Sequence, residues 1–273
     1  MGYQEGKNVE YLIVQTGKDY PETKSRVAGL FREGLDMLYP LGVLPTRAGK
    51  ELASEQHMEL PILFGILADP VGLGFIRDLK SSGNNLTGIS SANEVLSSKR
   101  LELFLEAVPS IRRVVIGWND PTTTGIEQLR KAARDLGVEM LERHVENTAE
   151  LDAFLASVPF RKGDGLLRAS DSINALRAKE IAGLARAKNI PLAGTSVFDA
   201  EQGALMSYGA DYHTMGLQAA RLAHRILSEK VPPANIPIEL PEAFQLIINA
   251  KTEAEIGIQI PVSFMARVDR VIR

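Results

Sequence analysis

Residues 68–89 read ADPVGLGFIRDLKSSGNNLTGI and follow the apolar run Leu60–Leu67, LPILFGIL, which has the length of a buried strand. Asp69 and Pro70 stand where that strand must give way. An Asp followed by Pro is a helix-start signal: the side chain accepts from free backbone N–H groups, and Pro has none to satisfy. The pattern predicts a helix over 71–81 that stops at Ser82-Gly83-Asn84-Asn85, then a short strand over 86–89. A strand end, a helix N-terminus and a crossover are thus placed together. In open parallel sheets, small ligands bind at such strand ends.

The same alternation extends in both directions. Strands are expected at 9–14, 35–39, 113–118, 138–144, 165–168, 191–197 and 244–249. Helices are expected at 21–33, 45–56, 97–107, 123–136, 149–158, 173–188, 212–229, 253–256 and 262–271. Pro232, Pro233, Pro237 and Pro241 mark an extended connection. Helices alternating with strands predict an α/β protein with parallel sheets. The order divides into two Rossmann-like lobes, residues 1–88 with 210–235 and residues 89–205 with 240–273. A multi-stranded hinge is expected near 86–89, 204–209 and 236–243.

Composition narrows the function classes. The chain has 273 residues, 45% hydrophobic and 24% charged, as in an ordinary globular protein. A net charge of −3 without a Lys/Arg stripe argues against nucleic-acid and anionic-membrane partners. No apolar run approaches the roughly 20 residues of a membrane span, so no membrane insertion is expected. The polar opening MGYQEGKNVEY shows no signal peptide in the chain as given. With no Cys, thiolate metal sites and Cys nucleophiles are excluded. Gly72-Leu73-Gly74 lacks the third Gly of a dinucleotide fingerprint, and neither a phosphate loop nor a Gly-x-Ser-x-Gly elbow occurs. His57, His144, His213 and His224 are dispersed, so no metal site, no cofactor and no catalytic residue is expected.

Four further blocks, SSKRLELFLEAVPSIRRVVIGWND, GALMSYGAD, FQLIINAKTEAEIGIQIPVSFMARVDRVI and the opening GYQEGKN, join the 68–90 stretch in one ordered set. The set resembles the extracytoplasmic solute-binding proteins of ABC importers with the type I periplasmic-binding fold, in the branch that includes tryptophan- and tyrosine-binding members. The resemblance spans nearly the whole chain. It implies two α/β lobes, reversible capture of a small solute between them, an ABC transporter permease as partner, and a periplasmic or extracytoplasmic location. The solute it implies is amino-acid-like and aromatic. Family members carry a signal peptide, a strand and a helix ahead of the segment matching Gly2–Asn8, so the resemblance implies a chain lacking its first strand–helix unit, with lobe 1 the weaker lobe. Two further departures concern the site. Gly42-Val43-Leu44 stands where the family often has Gly-Thr-Pro, and Ala169-Ser170-Asp171-Ser172 where the amino-acid-binding branch has a Pro-Thr-Asp-Asn-like turn.

Candidate ligand groups lie at strand ends. Asp171 either pairs with a solute ammonium or caps the helix that follows it. Ser170 adjoins it. Asn119 follows the strand 113–118 beside Trp118, and Asp120 before Pro121 reads as a cap. Asp69, with a helix N-terminus at Val71–Gly72, either receives a carboxylate on its backbone donors or occupies that N-terminus itself. Gly42 and Val43 offer backbone donors at the start of another helix, Ser196 ends a strand, and Tyr208 sits on an expected hinge strand, where it stacks on a ligand or packs between lobes. Two other classes share parts of this pattern: a ligand-sensing effector domain of a regulator, for which no basic arm is present, and an α/β enzyme, for which no catalytic constellation is found.

Overall fold

The structure is a computed structural model that describes residues 2–17, 19–91 and 93–273. In chain order its elements are α1 (Tyr20–Glu33), α2 (Val43–Glu55), β1 (Ile62–Leu67), β2 (Leu86–Ser90), α3 (Asn93–Ala107), β3 (Arg113–Trp118), α4 (Pro121–Thr124) and α5 (Ile126–Asp135). They continue with β4 (Glu139–His144), α6 (Thr148–Ser157), β5 (Asp164–Leu167), α7 (Ser172–Leu176), α8 (Ala178–Ala187), β6 (Leu192–Gly194), α9 (Val197–Glu201) and β7 (Met206–Ala210). Last are α10 (Tyr212–Leu227), β8 (Phe244–Asn249), α11 (Ala250–Glu255), α12 (Val262–Met265) and β9 (Arg270–Ile272). These form two compact units, Met1–Ser91 with Tyr212–Glu242, and Ala92–Asp211 with Ala243–Arg273.

In unit 2 seven strands run in the order β4-β3-β5-β6-β7-β8-β9, parallel except at the β7–β8 pair. Strand side chains alternate between faces, and the core divides accordingly. Val114, Ile116 and Leu167 join Phe104, Leu129 and Ile248 in one cluster, whereas Val115 and Leu166 join Leu151, Phe154 and Ile181 in another. Both faces are therefore covered by helices, which is why β3 and β5 read as continuous apolar runs. At the N-terminal ends of β3 and β5, Arg113 and Asp164 face each other in register and form a buried two-pronged pair at 2.9 and 2.7 Å.

Unit 1 is built on the parallel pair β1–β2, with single bridges from Leu38 and Leu41 to β1 and from Glu239 to the β2 side. Val27, Phe31, Leu52, Ile62, Phe64 and Ile238 share its core. At the end of β1 the register shifts across Ile66, whose φ of 57° is strained for a β-branched residue.

The structure corrects several expectations. No helix forms over 71–81: Gly74 takes a φ of 71°, and the carbonyls of Gly74 and Phe75 are taken by the Lys50 ammonium, with Asn84 also reaching Phe75. Those carbonyls would have to accept helical amides. Residues 35–39 give only the bridge at Leu38, and Pro40, with no N–H, interrupts any ladder. Residues 9–14 form no strand beyond a bridge from Glu5 to Val9; Tyr11 is 57% exposed and Ile13 89%. A lone extended segment without a partner strand is not stable in itself. The helix expected at 123–136 breaks at Gly125, φ 63°, into α4 and α5, and that at 173–188 breaks at Arg177 into α7 and α8. The strand at 191–197 ends early because Ser196 opens α9 through a capping box with Asp199. The last helix stops at Met265; Asp269 then bonds Leu246 and the chain joins the sheet as β9. Hydrogen exchange is expected to be fast at residues 10–14 and strongly protected along β3 and β5. Comparable protection in the two regions would contradict this assignment.

Candidate functional site

β3, β5, β6 and β7 are neighbours and run the same way, so their C-terminal ends line up along one edge of unit 2. Asn119 follows β3, Ser170 and Asp171 follow β5, Ser196 follows β6, and Tyr208, at the middle of β7, lies one residue past the Gly194–Ser207 pair that ends β6. Five of the candidate residues are brought to this edge. Gly42, Val43 and Asp69 belong to unit 1, at the corresponding end of β1, where the Gly42 N–H donates to the Gly65 carbonyl at 2.9 Å.

Asp171 is 5% exposed and caps α7. Its Oδ1 accepts from the N–H and the Nδ2 of Asn174, and its Oδ2 accepts from the Asn119 N–H at 2.9 Å and the Thr124 hydroxyl at 3.4 Å. The carboxylate ties the loop after β3 to the start of α7. Asp171→Ala is therefore expected to cost about 1–3 kcal/mol, a lost cap plus an orphaned buried amide, measured by denaturant unfolding. A change within about 0.5 kcal/mol, as for ordinary surface substitutions, would contradict the tether. Asn119 is further held by its Nδ2 on the Val145 carbonyl and by His144 Nε2 against its own carbonyl. Asp120 caps α4 through Thr122 and Thr123. Trp118 donates its indole N–H to Glu142 and lies under the Arg130 guanidinium and beside His144.

Ser196 is buried and spends its hydroxyl on Asp199. Ser170 is half-buried, and its hydroxyl has no hydrogen-bond partner among the described residues; the same holds for the Tyr208 hydroxyl. The Tyr208 ring leans on Phe244, and its carbonyl accepts from Arg100 Nε at 2.8 Å. Tyr208 is thus a member of the unit 2 sheet and packs on that unit's core.

In unit 1, Asp69 accepts from the Gly72 N–H at 2.8 Å and closes a turn. The helix N-terminus expected at Val71–Gly72 is absent, so it supplies no dipole there. A genuine one opens α2. Gly42 is its N-cap with φ 90°, no side chain caps it, and its first turn holds no acidic residue. The amides of Val43 and Leu44 have no acceptor among the described residues, and Pro45 has no amide to satisfy.

Two residues at the unit 2 edge escaped the sequence reading. Arg168, 8% exposed at the end of β5, forms a buried pair with Asp199 (Nε–Oδ1 2.5 Å) and bonds Thr195 and the Ala169 carbonyl. Burial pushes the Asp199 carboxyl up. Arg168 and the N–H groups of Thr195 and Ser196 outweigh that and hold it below the usual carboxylate range. Arg100, on α3, is also buried. Both border a cavity of about 10 Å³ with Ser97, Thr124, Ala169 and Ser170, room for roughly one oxygen-sized atom. The signal in the sequence was a lone Arg closing the apolar run Gly165-Leu166-Leu167. Among the described residues no cluster of three or more His, Asp or Glu could hold a metal ion, and no helix is long and apolar enough to cross a membrane.

Comparison with known proteins gives a consistent result. The family described as ABC transporter substrate binding protein matches residues 1–272. A tyrosine-binding protein of Clostridioides difficile is 23% identical over 261 residues, 94% of this chain and 73% of the relative. A conserved domain protein from Vibrio cholerae superimposes with a TM-score of 0.86 at 24% identity, over 99% of this chain and 90% of that one. An ABC domain from Streptococcus pneumonia, solved with L-Trp, gives 0.78 at 23% identity, over 93% and 86%. These two structures share the fold of this chain.

Proposed function

Because the chain belongs to the ABC transporter substrate-binding protein family, we propose that it captures an aromatic, amino-acid-like solute outside the cytoplasm and delivers it to an ABC permease. The names of the C. difficile relative and of the L-Trp complex support the aromatic class. Among features of the molecule, one carries the reading. At the strand ends where open α/β sheets bind ligands, some hydrogen-bonding groups have no partner among the described residues: the Ser170 and Tyr208 hydroxyls in unit 2, and the Val43 and Leu44 amides in unit 1. An uncapped helix N-terminus suits a solute carboxylate, and a half-buried Tyr suits an aromatic ring. On this reading Gly42 and Val43 in unit 1, and Ser170 and Tyr208 in unit 2, are the groups each unit offers to a solute. Asn119, Asp171, Ser196 and Asp69 hold the loops that present them.

The mechanism follows from linkage. A solute that binds one arrangement of the two lobes better than another shifts their equilibrium, and only by its differential affinity. The passages near 86–89, 204–209 and 236–243 are the proposed hinge. The test is a thermal melt against amino acids, nucleosides and sugars. A solute at about 100 times its dissociation constant adds ~2.7 kcal/mol and should raise the melting temperature by several degrees. Aromatic amino acids are expected to give the shift; a shift only with sugars or nucleosides would overturn the solute class.

A further inference from the structure

Residues 38–42 run beside β1 in unit 1. The Leu38 and Gly42 amides donate to the Pro61 and Gly65 carbonyls, and the Leu63 and Gly65 amides donate to Leu38 and Pro40, each at 2.9 Å. Along a strand the backbone groups of successive residues face opposite neighbours. Those of Met37, Tyr39 and Leu41 therefore face away from β1, and none of them has a partner among the described residues. Tyr39 and Leu41 are exposed. Proteins that keep such an edge single place a Lys, a Pro or a bulge on it. Here Pro40 turns its carbonyl inward to β1, and no Lys or Arg stands between Asp36 and Leu44. The outer edge is apolar and open.

The same unit exposes a second half of a ladder. Residues 10–14, EYLIV, are rich in the side chains that strands favour. Tyr11, Leu12, Ile13 and Val14 are all exposed, and the segment's backbone has no partner among the described residues. It is held at both flanks, where the Tyr3 hydroxyl bonds Ser228 and the Gln15 carbonyl accepts from Arg26. The two halves do not meet within one chain, and the helices give the reason. Tyr20 and Lys24 hold α1 on α2 through Glu51, and α2 lies so close over the edge that a Cβ on Gly49 would collide with Leu38. Packed helices stand about 8–10 Å apart and neighbouring strands about 4.7–4.9 Å. The chain leading into α1 is thus about two strand positions from residues 38–42. Pairing in one chain would pull α1 off α2, whereas a second copy meets no such tether.

We propose that residues 10–14 of one copy pair with the 37–41 edge of a second copy, and reciprocally, so that the chain forms a two-fold dimer through unit 1. Each copy gives one segment and receives one, a self-complementary contact that closes and leaves neither edge exposed. The dimer is independent of which solute the chain binds. Fast exchange at residues 10–14 belongs to the single chain, and pairing should slow it as concentration rises.

The chain has no Cys, so introduced thiols report the contact directly. Leu12→Cys and Ile13→Cys take the two faces of the segment, and Tyr39→Cys stands at the middle of the edge. Paired strands bring opposite Cα atoms to about 4.5–5.5 Å, within disulfide reach. Chains with Tyr39→Cys, mixed with tagged chains carrying Leu12→Cys or Ile13→Cys, are expected to give a mixed disulfide dimer on mild oxidation. Light scattering of the unmodified chain should find twice its mass of 29.8 kDa. Tyr11→Lys with Ile13→Lys, at two exposed positions outside the core, should weaken the dimer roughly tenfold or more and leave a cooperative melt. A single-chain mass at every concentration, or a dimer indifferent to the two Lys substitutions, would overturn the proposal. So would aggregates without a defined dimer. A Leu12→Cys, Tyr39→Cys double variant that closes its disulfide only within one chain would show the segment folding onto its own edge, and would overturn it too.

Discussion

Asp199→Ala is expected to destabilise the protein by about 3–5 kcal/mol in denaturant unfolding, the usual cost of stranding one partner of a buried pair. Asp199 is 3% exposed, and its removal leaves the Arg168 guanidinium without its counter-charge and the amides of Thr195 and Ser196 without an acceptor. The start of α9 loses its capping box in the same step. Because Arg168 and Ser170 border one cavity, solute affinity should fall with stability. The pH dependence has a definite sign. The folded carboxyl lies below its ordinary value, so its contribution is complete above the unfolded value of about 3.9 and is lost only as pH falls through the lower folded value. The stability gap between the native chain and Asp199→Ala should therefore be flat from neutral pH down to about 5 and close in stronger acid. A gap that closes between pH 7 and 5 would contradict the assignment.

Asp164→Ala should cost a similar amount, about 3–5 kcal/mol, for a reason located at the other end of the same strands. Asp164 meets Arg113 in register and also accepts the Arg161 N–H at 2.8 Å. Burial raises its carboxyl, and Arg113 with the Arg161 amide brings it below the ordinary range. Removing both partners, as in Arg113→Met with Asp164→Leu, should recover most of the loss, since a buried pair costs much desolvation and apolar groups of similar size fill the space. Solute affinity should be unchanged, because the pair lies at the N-terminal ends of β3 and β5. A double variant as unstable as Asp164→Ala, or an affinity loss in either, would contradict this separation of frame and site.

The contrast between these two carboxylates also shows where the sequence was legible. β3 and β8 were read at their observed bounds, and β1 and β5 within two residues, because strands covered on both faces are written as short apolar runs. The helix over 71–81 was misread although Asp69 and Pro70 gave a valid start. What cancels it is Lys50, more than twenty residues earlier in the chain, holding the carbonyls of Gly74 and Phe75. A local pattern cannot report such a competitor. Gly125 and Arg177 split long helices for related reasons, since one residue off the helical backbone ends a turn that periodicity alone continues. At the site, Asp171 remained two-valued in the sequence, because a ligand carboxylate and a helix cap call for the same residue at the same strand end. The Asn119 amide and Thr124 hydroxyl that fill it come from another loop. Arg168 was passed over because its partner lies 31 residues on, and Arg100 because a lone Arg beside Lys99 and Glu102 on a helix reads as solvated surface.

The central claim, capture of an aromatic amino-acid-like solute, is tested most directly by calorimetric titration of the folded chain with L-tyrosine and L-tryptophan. The account predicts saturable heat with one solute per chain, a matching rise in melting temperature, and loss of most of the affinity in Tyr208→Ala, a variant that still melts cooperatively although its lost packing on Phe244 lowers the melting temperature of the free protein. Absence of heat with both amino acids up to their solubility, in a chain that melts cooperatively, would contradict it.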